Sequence, residues 1–237
     1  MPGTSPSGKS EVARIVERQM RNWELARAQR LEPEPGLHPP EVVDFVALSR
    51  AVASGGTEVA TLLGERLGWP VFDKEILRAM AGDDQVRAKI YEALDERDVS
   101  WLEATLRVLI RGEFHKDDYF HRLTEAILAL ARRGPAIFLG RAADLILPRD
   151  RGLRVRIIGS LERRAERFAV QNNITASLAL AEIERLDRER AEFRRSHFGL
   201  HANDVTCYDL ILNLDRLRIE EAVDLILLAL RMRRIVP

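Results

Sequence analysis

The sequence predicts a three-layer α/β/α fold built on a parallel sheet, with a helical arm ahead of it. Three observations predict this. From Phe45 to Arg231, short apolar runs alternate with longer segments of helical periodicity. The short runs are apolar throughout, as expected of strands buried on both faces. Strands separated in this way by helices make a parallel sheet covered on both sides.

Residues 1–10 are polar and read as disordered. Glu11–Arg30 follows a helical pattern, with Val12, Ile15, Val16, Met20, Trp23 and Leu25 on a partly apolar face. Leu31–Pro40 carries four prolines, which stop a helix and make a stiff linker. An arm, 1–40, is therefore separate from a body, 41–237. The arm cannot bury its stripe alone. It is expected to pack on the body or on a second subunit, the latter giving a homodimer.

In the body, Phe45–Leu48 reads as a buried strand, Glu58–Leu67 as a helix and Pro70–Phe72 as a second strand. A helical region starts over Lys74–Ala81 and continues with breaks to Arg111. Asp118–Arg133 is a helix stopped by Gly134-Pro135. Ala136–Leu139 and Leu153–Ile158 are strands, and Leu161–Gln171 and Ala176–His197 are charged helices. Leu210–Leu212 is the last strand and Ile219–Arg231 the last helix. Trp23, Trp69 and Trp101 read as packing residues.

Composition narrows the function. Lys+Arg and Asp+Glu balance at 37 each, so the chain has no global basic footprint for nucleic acid or a membrane surface. Any anion site must be local. One cysteine, Cys207, permits no disulfide framework, and the five histidines show no metal-ligand spacing. The start of the chain has no apolar leader, and Ala222–Leu230 is short and interrupted by Asp224. A cytoplasmic protein with no membrane partner is the expectation.

One literal GxxxxGK[ST] string occurs, Gly3–Ser10. The motif works because a strand fixes the loop and a helix follows it with its positive end toward the phosphates. No strand precedes Gly3, so the string reads as a tail. The better setting is Phe45–Leu48, then Ser49-Arg-Ala-Val-Ala-Ser-Gly-Gly-Thr57, then the helix. Ser54, Gly55 and Gly56 permit close backbone approach to an anion, and Thr57 can cap the helix or touch a metal ion. Arg50 stands where the first glycine of the motif belongs, and Gly56 where its lysine belongs.

This strand–loop–helix, followed by Gly68-Trp-Pro-Val-Phe-Asp-Lys-Glu-Ile-Leu77, resembles the opening of the cytidylate kinase-like family. The resemblance continues through Ala136–Ala143, Arg154–Ile158, Leu161–Phe168, Ile183–Phe193 and Tyr208–Asn213, covering about residues 43–231. It implies a parallel sheet of the P-loop kinase type, with a helical lid over about 161–200. It also implies ATP and Mg²⁺ as cofactors and a nucleotide as small-molecule partner. By the same resemblance Ser54, Gly55, Gly56 and Thr57 hold the donor phosphates. Asp73, Arg141 and Asp187 hold the acceptor. Arg163, Arg167 and Arg190 on the lid serve phosphoryl transfer, with Arg164 in the same cluster. Arg50 supplies the charge of the missing lysine, since a guanidinium reaches two phosphate oxygens at once. Cytidylate kinases place an aspartate after the arginine that Arg141 matches; here it is Ala142.

Other readings of these residues stand beside these. The lid arginines also read as a solvated face with i,i+4 pairs. Asp73 also reads as the cap of the helix from Lys74. Two functions follow: ATP-dependent phosphorylation of a nucleoside monophosphate such as CMP, or a catalytically weak or inactive module that binds a nucleotide or phosphate ligand and signals through the arm.

Overall fold

The computed structural model of the chain describes residues 42–82, 102, 105 and 118–237. The arm, its Gly3–Ser10 string and most of the helical region expected between residues 83 and 111 lie outside the described residues. Leu102 and Thr105 are helical, as expected.

Five strands and seven helices organise the described body. They run β1 (Phe45–Arg50), α1 (Gly56–Leu67), β2 (Val71–Phe72), α2 (Lys74–Gly82), α3 (Asp118–Arg133), β3 (Ala136–Leu139), α4 (Ala143–Ile146), β4 (Leu153–Ile158), α5 (Leu161–Asn172), α6 (Ala176–Phe198), β5 (Leu210–Asn213) and α7 (Ile219–Met232). The strands form one sheet of order β2-β3-β1-β4-β5, and every pairing is parallel. β1 is therefore central, with β3 and β4 on either side.

Alternation along β1 divides the core. Phe45 and Ala47 join Phe72, Leu77, Leu123, Ile127 and Phe138 under α2 and α3. Val46 and Leu48 join Val59, Leu63, Val155, Ile157 and Ile226 under α1 and α7. Phe72 and Phe138 stack with ring centroids 5.6 Å apart. Each such side chain contributes roughly 1.5–3 kcal/mol when fully buried. The result is the three-layer α/β/α architecture of the P-loop kinases. Trp69 packs against the second of these clusters.

Two local differences bear on function. β1 runs past Leu48, because β4 offers Arg156 and Ile157 as ladder partners to Ser49 and Arg50. Arg50 is thus the end of a strand and not a free loop residue. A short helix, α4, follows Gly140-Arg141-Ala142, where the sequence carries no apolar period long enough to show it.

Helices α5 and α6 are capped by Ser160, which accepts from the Arg163 N–H at 3.5 Å, and by Thr175, which accepts from the Leu178 N–H at 3.4 Å. Between them lies a small apolar cluster of Val52, Ala165, Ala179 and Ile183. Val52 belongs to the loop between β1 and α1, so this cluster fastens α5 and α6 to that loop.

Candidate functional site

The strand–loop–helix junction is built as an anion cradle. Ala53 (φ 56°) and Gly55 (φ 88°) both turn left-handed, which folds the loop over the start of α1. Gly55 precedes the helix without any side-chain cap. The first N–H groups of α1 are therefore available to an anion at its positive end. Ser54 is buried and its hydroxyl donates to the Ala51 carbonyl at 2.9 Å. Its side chain thus fastens the loop, and its N–H is turned to the same Ala51 carbonyl, at 3.4 Å. Thr57 is exposed in the first turn. A side chain at Gly55 would meet Arg167 Nη1 at 2.6 Å and Leu214 Cδ1 at 2.9 Å.

Arg50 and Gly56 are physically coupled. A Cβ on Gly56 would lie 2.7 Å from Arg50 Cβ and 3.2 Å from its Cγ and Cδ. The arginine stem thus fills the space that a lysine at position 56 would need. Beyond the stem, Arg50 Nη1 donates to the Leu139 carbonyl at 3.3 Å. It also crowds Gly140, where a Cβ would lie 2.5 Å away. Burial, and then the charge of Arg190, lower the Arg50 guanidinium to about 10, while Asp73 opposes the shift. A cation therefore stands beside the loop, and it comes from the end of β1.

Helices α5 and α6 supply further arginines. Arg190 Nη1 donates to the Arg50 carbonyl at 3.1 Å, and burial lowers its pKa against the opposing charge of Asp187. Arg167 Nη1 is buried without a hydrogen-bond partner, 4.0 Å from Glu58 Oε1. Arg163 is exposed and borders a small cleft with Arg164 and Arg167. Arg164 serves the scaffold instead, since its Nη1 donates to Asp187 Oδ2 at 2.6 Å and to the Val52 carbonyl at 3.2 Å. Asp187 Oδ1 in turn accepts from the Val52 N–H at 2.9 Å. The geometry gives Asp187 to a clamp between lid and loop, away from the acceptor side where the resemblance puts it.

On the other flank, Asp73 Oδ1 accepts from the N–H groups of Glu75 and Ile76, each at 2.9 Å, and caps α2. Its charge still reaches Arg50. Gly140 (φ 83°), Arg141 (φ 54°) and Ala142 (φ 55°) are three consecutive left-handed residues. Two of them carry a Cβ, and such backbone is held on the order of 1–3 kcal/mol above relaxed per residue, a strain that gathers at ligand clamps. Arg141 Nε is buried with no partner, and the guanidinium lies 5.7 Å over the Tyr119 ring.

Two cavities meet at these residues. One, of about 320 Å³, is lined by the loop from Arg50 to Glu58 together with Arg167, Phe168, Gln171 and Arg190. The other, of about 290 Å³, is lined by Ser49, Arg50, Lys74, Arg141, Arg156, Glu189, Arg190, Phe193 and Arg194, among others. Arg50 and Arg190 are common to both. Both cavities open at the C-terminal ends of the central strands, the ligand side of a parallel α/β sheet.

Sequence reasoning missed Ser49, Lys74, Arg156, Glu189 and Arg194 as cavity residues. Arg156 was detectable as a charged residue at an inward position of a buried strand. Arg194 forms a buried two-bond ion pair with Asp144, each bond 2.8 Å, which ties α6 to α4.

Among the described residues no group of three or more His, Cys, Asp or Glu gathers in a way that could hold a metal. Mg²⁺ does not require one, since it keeps several waters and binds chiefly to substrate phosphates. The exposed Thr57 hydroxyl beside the loop fits that mode. Also among the described residues, no helix is long and apolar enough to cross a membrane.

The parallel sheet and the paired cavities at its strand ends define a kinase-like α/β protein. Residues 45–216 match the profile of the cytidylate kinase-like family, and the chain belongs to that family. Among similar proteins, cytidylate kinase of Methanothrix thermoacetophila is 35% identical over 96 residues, which span 40% of this chain and 54% of that enzyme. Cytidylate kinase of Halobacterium salinarum is 25% identical over 187 residues, 77% of this chain and 87% of that one. A crystal structure of an uncharacterized protein from Eubacterium ventriosum matches in fold with a TM-score of 0.64 at 19% identity, covering 80% of this chain and 98% of that one.

Proposed function

We propose that the protein catalyses ATP-dependent phosphorylation of a nucleoside monophosphate, CMP being the first acceptor to test. The observation that carries this reading is the shared wall between the two cavities. A donor held by the loop and an acceptor held beside Arg141 would meet at Arg50 and Arg190.

In the transfer, an acceptor phosphate oxygen attacks the γ-phosphorus and the bond from that phosphorus to the β-phosphate oxygen breaks. ADP leaves, and the acceptor gains a phosphoryl group. The attacking oxygen is already ionised at neutral pH, so the step needs positioning and charge neutralisation more than a general base. Backbone N–H groups of Gly55, Gly56 and Thr57 bind the donor phosphates. Mg²⁺, when bound, neutralises charge on the donor phosphates. Arg50 and Arg190 face the transferring group from the strand and from the lid, while Arg167 closes over the loop. Arg141 orients the acceptor. Asp187 and Arg164 keep the lid on the loop, which excludes water.

Gly56 favours a second reading. Without the loop lysine the cradle can hold a nucleotide and turn it over poorly or not at all, which would make the protein a binding module. The test is ADP formation from Mg-ATP with a panel of nucleoside monophosphates, against a Thr57→Ala/Arg141→Ala background. Turnover above that background supports the kinase. Saturable binding without turnover supports the module, and absence of binding removes both.

A further inference from the structure

The arginines of β4 and α6 are of two kinds. Arg154 is buried, and its guanidinium donates to the carbonyls of Asp144, Leu147, Pro148 and Arg151. Arg194 is neutralised by Asp144 through two bonds. These two hold the fold together. Arg156 lies two residues beyond Arg154 on the same face of β4 and is half-buried. Its Nη1 donates to the Ser49 hydroxyl at 2.7 Å, and its guanidinium lies 5.7 Å from the centre of the Tyr208 ring. Among the described residues no carboxylate stands within ion-pair distance of it. The Tyr208 hydroxyl donates to the same Ser49 oxygen at 3.4 Å, which holds that oxygen in place.

A half-buried guanidinium without a counter-charge is a poor structural element, because burial penalises a charge left unpaired. It is a good receptor for an oxyanion, which it meets with two parallel donors. Among the described residues, no ion pair from a neighbouring element supplies that charge. Around the cavity stand Arg50, Lys74, Arg141 and Arg190, with Glu189 the acidic residue of the lining. β3 and β4 flank β1, so Arg141 and Arg156 reach the cavity from opposite sides of the central strand, Arg156 beside Ser49 and Arg141 on its left-handed turn. Two separate donor sets therefore face the acceptor. Arg50 and Arg190 already border the donor side, where the transferring group lies.

We propose that Arg156, with Ser49, receives a second acidic group on the acceptor, so that the acceptor is a small phosphate ester that also bears a carboxylate or another phosphate. This rests on the kinase reading above and revises its acceptor: CMP, with one acidic group, would leave Arg156 unanswered, whereas a doubly acidic phosphate ester such as a nucleoside bisphosphate would not. A neutral base carbonyl at Arg156 would leave the guanidinium charge unanswered; a second anion removes it and fixes which way round the acceptor lies.

The experiment is equilibrium binding by calorimetry on the full chain, without ATP, using two matched pairs of probes. These are cytidine bisphosphate against CMP, and phosphoglycerate against glycerol phosphate. In at least one pair the doubly acidic member binds roughly tenfold tighter, as expected for one added charge-assisted bidentate contact. Arg156→Gln abolishes that advantage and leaves the Kd of the singly acidic member within about threefold, a change too small for a lost bidentate contact. Arg156→Lys keeps part of the advantage, which separates lost charge from lost folding. Equal affinity within both pairs, an equal loss for both members in Arg156→Gln, or no binding by any probe overturns the proposal. ADP formation is measured separately. A protein that discriminates the pairs yet makes no ADP keeps this site and loses the kinase reading; one that makes ADP without discriminating does the reverse.

Discussion

Position 56 and the stem of Arg50 compete for one space, and a double-mutant cycle measures that competition. A Cβ at position 56 would lie 2.7 Å from Arg50 Cβ. That atom sits next to the backbone and cannot swing aside as the end of a long side chain would. Overpacking of this kind typically costs about 1–3 kcal/mol. Gly56 is helical, so alanine there regains up to about 1 kcal/mol of helix propensity. Gly56→Ala is therefore expected to destabilise the protein by up to roughly 2 kcal/mol, the difference between those two terms. In an Arg50→Gly background the clash is gone and the same change becomes stabilising by up to about 1 kcal/mol. The sign reversal, read from urea midpoints of the four proteins, gives a coupling of roughly 1–3 kcal/mol. A functional arm runs in parallel. Arg50→Gly alone removes the cation at the transferring phosphate and is expected to lower ADP formation by about a hundred- to a thousandfold. Gly56→Lys alone introduces the clash. The double variant Arg50→Gly/Gly56→Lys turns residues 50–57 into a literal GxxxxGKT string, and its activity should recover to within about tenfold of the starting protein if one cation is all the loop needs. Stability effects that add to within about 0.5 kcal/mol, or a double variant no more active than the worse single one, would refute the idea that Arg50 and Gly56 form one exchange.

Three further outcomes follow from the same geometry. Asp187→Ala should weaken ATP binding, because it frees the Val52 N–H and Arg164, and should leave the acceptor Kd unchanged; calorimetry with each ligand alone separates this clamp role from acceptor binding. Asp144→Ala leaves Arg194 buried without its counter-charge and should cost about 3–5 kcal/mol in denaturant unfolding, whereas replacing both partners with apolar residues should cost much less. The Arg50 guanidinium, held at about 10 in the folded state, lies below its ordinary range. The folded state therefore bears a penalty that is fully present at neutral pH and fades only as pH rises past 10. A displacement of that size is worth on the order of 3 kcal/mol before the lost bond to Leu139 is set against it. Arg50→Met should thus raise the urea midpoint of the ligand-free protein at pH 7 and abolish the stabilisation that added ATP gives the wild type.

The layers were legible because burial on both faces leaves strands such as Ala136–Leu139 continuously apolar, and the helix Asp118–Arg133 ends at a Gly-Pro stop that permits no continuation. The loop was legible from its setting, since a Ser-Gly-Gly turn between a buried strand and a helix has the geometry an anion needs. Three features lay beyond the sequence. Asp187 and Val52 are 135 residues apart, and no local pattern announces a bond between them. The left-handed run at Gly140–Ala142 is invisible because alanine and arginine carry no sign of positive φ. Arg154 and Arg156 look alike in the sequence, two arginines in one strand, and only the carbonyls around Arg154 tell them apart.

That last contrast shows how charge in this protein is to be read. A chain with equal numbers of basic and acidic residues can still build a strongly cationic cavity, provided the acids lie elsewhere. Here Asp144 is committed to Arg194, Asp187 to Arg164 and the loop, and Asp73 to the start of α2. Each of these acids fixes an element of the site and none cancels Arg141 or Arg156. The carboxylates thus hold the scaffold while the arginines stay available for a ligand. An arginine kept for stability has the surroundings of Arg154, closed on every side by carbonyls. Among the described residues, Arg156 sits one pleat repeat away without a counter-charge, and Arg141 stands on a strained turn with a buried donor unmet. Natural sequences tolerate such departures where function needs them. The missing lysine therefore does not by itself mark a decayed site, because the strain and unpaired charge that a ligand would relieve are still in place around it.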